Sequence, residues 1–359
     1  MGEFPTVTDV ARVAGVSRQT VSNVMNSPGI VKPDTRARVE AAIGALGYRP
    51  HASARRLRTR RSSTIGIRLD PMIDGISGSV LDRFLHALTE QADARGLRVL
   101  LFTATTPEDE IAQMRRLNDG ADVDGFVLTS TTAGDPRTAW LLEQGISFVT
   151  FGRPWGSDDL TRPSHLWVDV DGYAGLHAAT RAQQDAGATR IGYIGWPSPS
   201  GTGDDRRRGW HDAMIERGAV SAADLERLEV VTKDGVSQGT SAMQQLARTA
   251  GGIDAVLCAS DALALGAMIA NPARVPVTGY DNTPIAAAIG LSSVDQPVDE
   301  VAAGVLELLT GEFEGQVSHA PDSASARYRM IAPRLVTRQF AAIPRDSAPV
   351  DALAGEFSR

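Results

Sequence analysis

The chain has 359 residues, which is enough for two to three domains whose hydrophobic cores need no disulfide or metal. Its one cysteine, Cys258, excludes an internal disulfide framework and a cysteine-based zinc site. The net charge of −7 argues against a nucleic-acid binder, but this charge is unevenly distributed. Residues 1–61 carry +7 and the remaining residues carry −14, and such asymmetry is a sign of contact with nucleic acid.

Two further classes of protein are excluded by simple features. Residues 1–10 lack the apolar core of a signal peptide, and no apolar run approaches the ~20 residues of a membrane helix, so we expect a soluble, cytoplasmic protein with no membrane partner. The chain has two lysines, Lys32 and Lys233, beside 34 arginines, and neither lysine ends a glycine-rich phosphate loop. This excludes a P-loop NTPase.

The first 50 residues show three short helical patterns. Thr8 is the expected N-cap of the first helix and Ser17 that of the second, while the third starts near Pro33 and stops at Gly47. Each helix has one apolar face. In chain order these faces are Val10, Val13 and Ala14, then Val21, Val24 and Met25, then Val39, Ala42, Ile43 and Leu46.

Two short helices joined by a glycine turn form a helix-turn-helix when the second helix has an exposed polar face. Here that face consists of Arg18, Gln19, Ser22, Asn23 and Asn26. Arg pairs with guanine in the major groove, and Gln or Asn pairs with adenine. The alternative is a small bundle with a solvated polar face, and the local positive charge favours DNA binding.

The basic segment 51–61 has one large apolar residue, Leu57, among its arginines. A leucine in that setting suits a wedge between base steps in the minor groove, with the arginines on phosphates. A plain solvated linker is the alternative.

Dense motifs cover roughly the first 60 residues: Val7-Thr8-Asp9-Val10-Ala11, Ala14-Gly15-Val16-Ser17, Thr20-Val21-Ser22 and Gly47-Tyr48-Arg49-Pro50. They closely resemble the DNA-binding headpiece of the lactose-repressor family. The resemblance implies that Arg18, Gln19 and Asn23 read bases and that Leu57 is the lever of a hinge helix formed on operator DNA. The residues then expected to contact DNA are Thr6, Ser17, Arg18, Gln19, Thr20, Ser22, Asn23, Asn26, Thr35, Tyr48, Ala54, Arg55, Leu57 and Arg58.

The acidic remainder alternates strand-like and helical runs, which predicts an α/β domain of two doubly wound, parallel-sheet lobes. With the headpiece over residues 1–50 and a hinge over 51–62, we expect this domain over 63–340 and a flexible tail over 341–359. The lobe boundaries expected from the pattern are 63–166 with 295–325 for lobe one, and 167–294 with 326–340 for lobe two.

The sequence motifs typical of catalytic and cofactor-binding sites are missing from this domain. The dinucleotide-like run Gly201-Thr202-Gly203-Asp204-Asp205-Arg206 lacks its third glycine and carries two aspartates. The six histidines have no ligand spacing, and there is no Gly-x-Ser-x-Gly nucleophile motif. We therefore expect a protein that is not an enzyme and has no cofactor or metal.

Other motifs follow strand-like runs: Phe151-Gly152-Arg153-Pro154, Gly192-Tyr193-Ile194-Gly195, Arg206-Arg207-Arg208-Gly209-Trp210, Ser260-Asp261-Ala262, Gly279-Tyr280-Asp281 and Gln296-Pro297. They resemble the effector domain of the same family, which looks like a periplasmic sugar-binding protein. The resemblance implies ligand positions at Arg206 and Asp281, whose groups suit paired sugar hydroxyls. The remaining candidates are Arg153, Trp196, Ser260, Asp261 and Gln296, with Trp155 weaker and helix capping as the alternative for Ser260 and Asp261.

The expected function is a sequence-specific repressor whose operator binding is controlled by a small carbohydrate between the lobes. Residues 341–359 hold two prolines and no leucine heptad, so we expect a homodimer on a near-palindromic operator. Small residues at 77–79 and Trp196 suggest room for a disaccharide or longer glycoside. The alternatives are a regulator that needs a purine or other metabolite as corepressor, and a sugar-binding transport protein.

Overall fold

The computed structural model describes residues 5–48, 61–69, 78–156, 163–218, 220–271, 274–315 and 327–338. The chain divides into two compact units, Met1–Ser62 and Ser63–Arg359, which we call the headpiece and the body.

The described part of the headpiece contains three α-helices, α1 (Val7–Ala14), α2 (Arg18–Asn26) and α3 (Pro33–Leu46), and a 3₁₀ turn (Pro28–Ile30). Gly15 and Gly47 end α1 and α3 with φ of +63° and +59°, a conformation that glycine adopts without strain. The buried side chains form one core: Val10, Ala11, Ala14, Val21, Val24, Val39, Ala42 and Tyr48.

The N-cap predicted at Thr8 is wrong, because α1 starts earlier. Thr6 is the cap: its hydroxyl accepts from the amide of Asp9 (3.4 Å), and the Asp9 carboxylate accepts from the amide of Thr6 (2.9 Å). With this start, Ala11 lies on the buried face and Val13 is 56% exposed, so the prediction that Val13 packs in the core is also wrong.

The described part of the body forms two six-stranded sheets, each the centre of one lobe. The strands, in chain order, are β1 (Thr64–Arg68), β2 (Arg98–Phe102), β3 (Gly125–Leu128), β4 (Phe148–Phe151), β5 (Leu166–Val170), β6 (Ile191–Gly195), β7 (Glu229–Val231), β8 (Ala255–Cys258), β9 (Val277–Asp281), β10 (Ser292–Asp295), β11 (Tyr328–Ile331) and β12 (Arg334–Val336). The helices are α4 (Ser79–Ala94), α5 (Pro107–Asp119), α6 (Pro136–Gln144), α7 (Gly172–Asp185), α8 (Gly201–Glu216), α9 (Ala222–Arg227), α10 (Val236–Thr249), α11 (Asp261–Ile269), α12 (Pro284–Ala288) and α13 (Val298–Phe313).

Lobe one is built on an all-parallel sheet of order β11-β5-β4-β3-β1-β2. Helices α4 and α13 cover one face and bury Phe84 and Val305, while α5 and α6 cover the other and bury Met114 and Leu141. Both faces are apolar because helices cover both, as the strand-like runs predicted.

Lobe two has the order β12-β10-β9-β8-β6-β7, in which only β12 is antiparallel to its neighbour. Its single described core includes Leu176 of α7, Leu246 of α10 and Leu263 of α11. Trp210 of α8 is fully buried there, and its Nε1 donates to the Ile191 carbonyl (3.0 Å).

The described chain passes between the lobes at three points, after β5, after β10 and after β11. The first predicted boundary, at 166/167, is therefore misplaced. Leu166 pairs with Val149 of β4, which keeps β5 in lobe one and moves the crossing beyond Val170. Likewise Tyr328 of β11 pairs with Trp167, so residues 328–331 belong to lobe one rather than lobe two.

None of the described helices is long and apolar enough to cross a membrane. Among the residues that the structure describes, no cluster of three or more His, Cys, Asp or Glu is arranged to hold a metal ion.

Candidate DNA-reading helix and effector cleft

Helix α2 begins at Arg18 because Ser17 caps it. The Ser17 hydroxyl accepts from the Thr20 amide (3.1 Å) and shares a hydrogen bond with the Thr20 hydroxyl (2.9 Å). Arg18 and Gln19 in the first turn are exposed, and the Gln19 amide donates to Asn23 Oδ1 (3.0 Å). The first two turns of α2 thus carry a guanidinium and a linked pair of amides, the groups that read base edges.

The other predicted DNA-contacting residues of the headpiece fall into different settings. Thr6 is used as the cap of α1, and Ser22 and Thr35 are half-buried. Tyr48 is only 9% exposed and packs in the core, so most of its ring serves packing. Asn26 is the last residue of α2.

Four predicted hinge residues lie outside the described residues: Ala54, Arg55, Leu57 and Arg58.

In the body, the predicted effector residues follow the carboxyl ends of strands in both lobes, the edge where open α/β sheets bind ligands. Arg206, in α8, is 4% exposed. Its Nη1 donates to the Ala259 carbonyl (2.6 Å), and its Nη2 lies 3.6 Å from Oδ1 of Asp281. The structure therefore brings together the two residues ranked first.

Two aromatic rings flank the Arg206 guanidinium, Tyr280 with its centroid at 3.6 Å and Trp196 at 5.2 Å. Three polar atoms of this group are buried with no hydrogen-bond partner in the described part of the chain: Arg206 Nε, Trp196 Nε1 and the Tyr280 hydroxyl. Buried polar groups in proteins are nearly always hydrogen-bonded, so these three require a partner such as a ligand or water.

Asp281 ends β9 with a φ of +106°, a conformation that L-residues rarely adopt. Its Oδ1 accepts from the side-chain amide of Gln296 (2.7 Å). Burial raises the pKa of Asp281 to about 7, against the opposing effect of Arg206. The carboxylate thus has one acceptor oxygen engaged and titrates near neutrality.

Arg153 has a different setting from Arg206. Its Nε donates to Asp169 Oδ2 (2.6 Å), and its Nη2 lies 3.2 Å from Asp205 Oδ2 in lobe two. The Val170 carbonyl accepts a third, longer hydrogen bond (3.4 Å). Arg153 therefore joins the two lobes by an ion pair, a contact that sequence reasoning did not anticipate.

Two tryptophans pack against the first turn of α8. A Cβ at Gly201 would lie 2.2 Å from Cδ2 of Trp155, and a Cβ at Gly203 would lie 3.0 Å from Cε3 of Trp196. The glycines of the dinucleotide-like run are thus explained by close ring packing. Trp155 belongs to lobe one, so its contact with Gly201 spans the lobes.

Ser260 and Asp261 are engaged in structural contacts. The Ser260 hydroxyl caps α11 by accepting from the Leu263 amide (3.2 Å) and donates to Asp234. The Asp261 carboxylate accepts from the Ser293 hydroxyl and the Thr283 amide, both at 2.6 Å. Burial raises the pKa of Asp261. The Ser260 contact fits the capping alternative. Asp261 does not cap α11; its carboxylate joins α11 to Thr283 after β9 and to Ser293 of β10.

A cavity of about 320 Å³ opens beside Arg153 and Trp155, with His165 at its wall. Burial lowers the pKa of His165 to about 4, so its ring is neutral at pH 7. A larger cavity of about 610 Å³ lies by the amino ends of β9 and β10 and includes no predicted site residue.

Arg83 of α4 was missed by sequence reasoning. Its guanidinium reaches from lobe one to the ends of β9 and β10 in lobe two, next to Asp281 and Gln296. A single arginine on an amphipathic helix carries no sequence signal for such a contact.

Comparisons with known proteins agree with this architecture. Residues 6–51 match the family model "Bacterial regulatory proteins, lacI family", and residues 181–339 match "Periplasmic binding protein-like domain". The chain is 33% identical to the HTH-type transcriptional regulator CelR of Thermobifida fusca over 88% of this chain and 93% of that protein. It is also 33% identical to the HTH-type transcriptional regulator AglR of Rhizobium meliloti, over 72% of this chain and 70% of that protein.

Two solved structures are similar over 94% of this chain and 99% of theirs. A transcriptional regulator CelR–cellobiose complex has a TM-score of 0.67 and 27% identity. A lac repressor dimer bound to operator and the anti-inducer ONPF has a TM-score of 0.75 and, at 22% identity, supports the fold. With the identity, coverage and two family matches taken together, the chain belongs to the lacI family of bacterial regulatory proteins.

Proposed function

We propose that this chain is a transcription repressor that binds operator DNA through α2 and releases it when a carbohydrate binds between the lobes of the body. The observation that carries the effector assignment is the group of buried, unsatisfied polar atoms around Arg206. A sugar presents many hydroxyls in a fixed array, which is the type of ligand that satisfies several such atoms at once.

The chemistry of the cleft supports a sugar in two ways. Arg206 donates and Asp281 accepts, so adjacent hydroxyls can bridge the pair. Trp196, whose ring lies 5.2 Å from the Arg206 guanidinium, is the candidate to stack on the apolar side of a sugar ring. The similar CelR structure is a complex with cellobiose, which makes β-linked disaccharides the first compounds to try.

We propose that the active form is a homodimer on a near-palindromic operator. One α2 offers few side chains to base edges, and two tethered headpieces add their binding energies on matched half-sites. The effector then acts by preferring one arrangement of the lobes over the other.

The first experiment is a thermal-shift screen of the full-length protein against mono- and disaccharides, with cellobiose among them and purines as the comparison set. A ligand at 100 times its Kd stabilises the folded protein by about 2.7 kcal/mol, which shifts the unfolding midpoint measurably. Stabilisation by purines alone would contradict the carbohydrate assignment.

The second experiment tests regulation. Duplexes selected from a randomised library by the full-length protein are used in band-shift titrations with and without the sugar. We expect the sugar to weaken DNA binding, and DNA to weaken sugar binding by the same factor. Tighter DNA binding with ligand would reverse the sign and make the ligand a corepressor.

A further inference from the structure

Arg83 lies in the second turn of α4 in lobe one, and its guanidinium donates hydrogen bonds to lobe two. Its Nη1 donates to the carbonyls of Asp281 (3.1 Å) and Asn282 (3.4 Å). Its Nη2 donates to Asp295 Oδ1 (3.3 Å) and to the Gln296 carbonyl (3.5 Å). One side chain thus bridges the lobes through four acceptors.

The four acceptors lie at or beside a point where the chain crosses between the lobes. Asp295 ends β10, and the chain then crosses to α13 of lobe one, so Arg83 binds directly at one of the crossings. Asp281 and Asn282 form a turn in which both residues have positive φ, +106° and +48°. This backbone turns the two carbonyls toward α4.

On the side of lobe two, the same turn is held firmly. The Asn282 amide donates to the Ser293 hydroxyl (2.9 Å), the Asn282 side chain donates to Asp295 (3.1 Å), and Arg338 donates to Asn282 Oδ1 (2.6 Å). Movement of lobe one relative to this rigid turn must therefore stretch the Arg83 contacts rather than deform the turn.

The turn also carries the candidate effector groups. The Asp281 carbonyl accepts from Arg83 while its carboxylate accepts from Gln296 and faces Arg206. The Gln296 carbonyl accepts from Arg83 while its side chain donates to Asp281. A ligand that repositions the side chain of Asp281 or Gln296 therefore acts on residues whose backbone carbonyls accept hydrogen bonds from Arg83.

We infer that Arg83 is the residue that couples the occupancy of the cleft to the arrangement of the two lobes. Its guanidinium binds lobe one to the Asp281–Asn282 turn and to the crossing after β10, and effector binding shifts the balance between made and broken contacts. The inference rests on the proposed function for the identity of the effector; the mechanical role of Arg83 does not depend on it.

The test measures the distance between the lobes without any ligand. Spin labels are attached to cysteines introduced at two exposed helical positions, Glu143→Cys in lobe one and Arg248→Cys in lobe two. Cys258 is buried and burial raises the pKa of its thiol, so it does not react with the label. Labelled protein is diluted with unlabelled protein so that each measured pair belongs to one chain.

Arg83→Gln is expected to raise the population outside the main distance peak by about tenfold, since it removes a charge-assisted donor from four acceptors. Arg83→Lys keeps the charge but not the planar guanidinium with its several donors. It should give a population outside the main peak that is intermediate between wild type and Arg83→Gln. The matched control is Arg95→Gln at the end of the same helix, where the side chain donates to the Gln91 carbonyl of its own helix. This control should give the wild-type distribution.

Asp295→Asn removes the one charged acceptor and keeps the experiment decisive if Arg83→Gln does not fold. Wild-type distance distributions in both Asp295→Asn and Arg83→Lys would overturn the inference. With a sugar from the screen, Arg83→Gln should reduce the effect of sugar on DNA binding by more than it reduces sugar affinity. If no sugar binds the wild type, the proposed function fails, whereas the distance measurement still decides the role of Arg83.

Discussion

Arg137 in lobe one and Arg206 in lobe two are equally buried, each 4% exposed, but their surroundings differ. Arg137 donates through Nε and Nη2 to Asp135 (2.9 and 2.6 Å), through Nη1 to Glu110 (2.9 Å), and to the carbonyls of Thr129 and Ser130 (3.1 Å each). Arg206 has one short hydrogen bond to a carbonyl, one carboxylate at 3.6 Å and an Nε without a partner in the described part of the chain.

We propose that this difference separates a structural arginine from one that binds a ligand. Burial and charge are the same in both cases, so neither identifies the function. Unused hydrogen-bonding capacity does differ, as expected if Arg206 keeps donors for a ligand while Arg137 satisfies its protein neighbours. Arg153 resembles Arg137 in this respect, because Asp169 and Asp205 already engage it.

The largest effect is expected from Arg137→Met. The change leaves the buried carboxylates of Glu110 and Asp135 without their main partner, and breaking a buried ion pair costs about 3–5 kcal/mol. Urea unfolding of the full chain measures this loss. The control is Arg116→Met, an exposed residue on the same helix as Glu110, which should change stability by less than about 0.5 kcal/mol. Equal results for the two variants would show that the cluster is not structural.

The comparison becomes sharper with Arg206→Met. We expect sugar affinity to fall by at least about 100-fold, or about 2.7 kcal/mol, while affinity for the selected duplex without sugar is retained. Arg207→Met is the matched control, because Arg207 is the next residue of α8 and forms an exposed ion pair with Glu229 (2.5 Å). A stability loss as large as that of Arg137→Met, with sugar affinity unchanged, would make Arg206 structural.

A smaller effect is expected from pH, through Asp281. The folded-state pKa is raised from 3.8 to about 7, so this group contributes a loss of stability as the pH rises from about 4 to 7. The ionised form accepts from sugar hydroxyls, so sugar affinity should rise about tenfold between pH 6 and pH 8. Calorimetric titrations across this range measure the change. Asp281→Asn should flatten the pH profile, and an unchanged profile in that variant would assign the titration to another group.

The smallest effect is expected in the headpiece, from Thr6→Ala. Loss of the cap should cost about 1 kcal/mol in the stability of α1, because the Asp9 amide loses its acceptor. Thr8→Ala should leave the stability of α1 unchanged or slightly raise it, since Thr8 is an exposed residue inside the helix and alanine has the higher helix propensity. Hydrogen exchange of the α1 amides in the full-length protein distinguishes the two, and a larger loss in Thr8→Ala would contradict the observed cap.

The elements of the fold followed from local chemistry. Ser17 was predicted to cap α2, and Gly47 was predicted to end α3, as is observed. Short-range features such as caps and apolar periodicity decide these elements, so they can be read from neighbouring residues. Arg206 and Asp281 were also placed together, although through family resemblance rather than spacing.

Apart from the start of α1, which shifted the cap from Thr8 to Thr6, the errors concern partners that are distant in the sequence. The strand 166–170 was divided between the lobes because its place in lobe one depends on pairing with β4 and β11, which its own residues do not reveal. The contacts of Arg83 join residues about 200 positions apart, and those of Arg153 depend on how two lobes meet. Such pairs are set by tertiary packing, which leaves no pattern in a single sequence.

The connections of the body and the headpiece have opposite consequences for protein engineering. The lobes exchange strands at three crossings, so neither lobe is one continuous segment that can be transplanted alone. The headpiece, Met1–Ser62, is one continuous segment with its own core and a single junction to the body. Exchanging this segment between relatives at residue 62 should therefore keep the effector-binding body and change the operator sequence that is recognised.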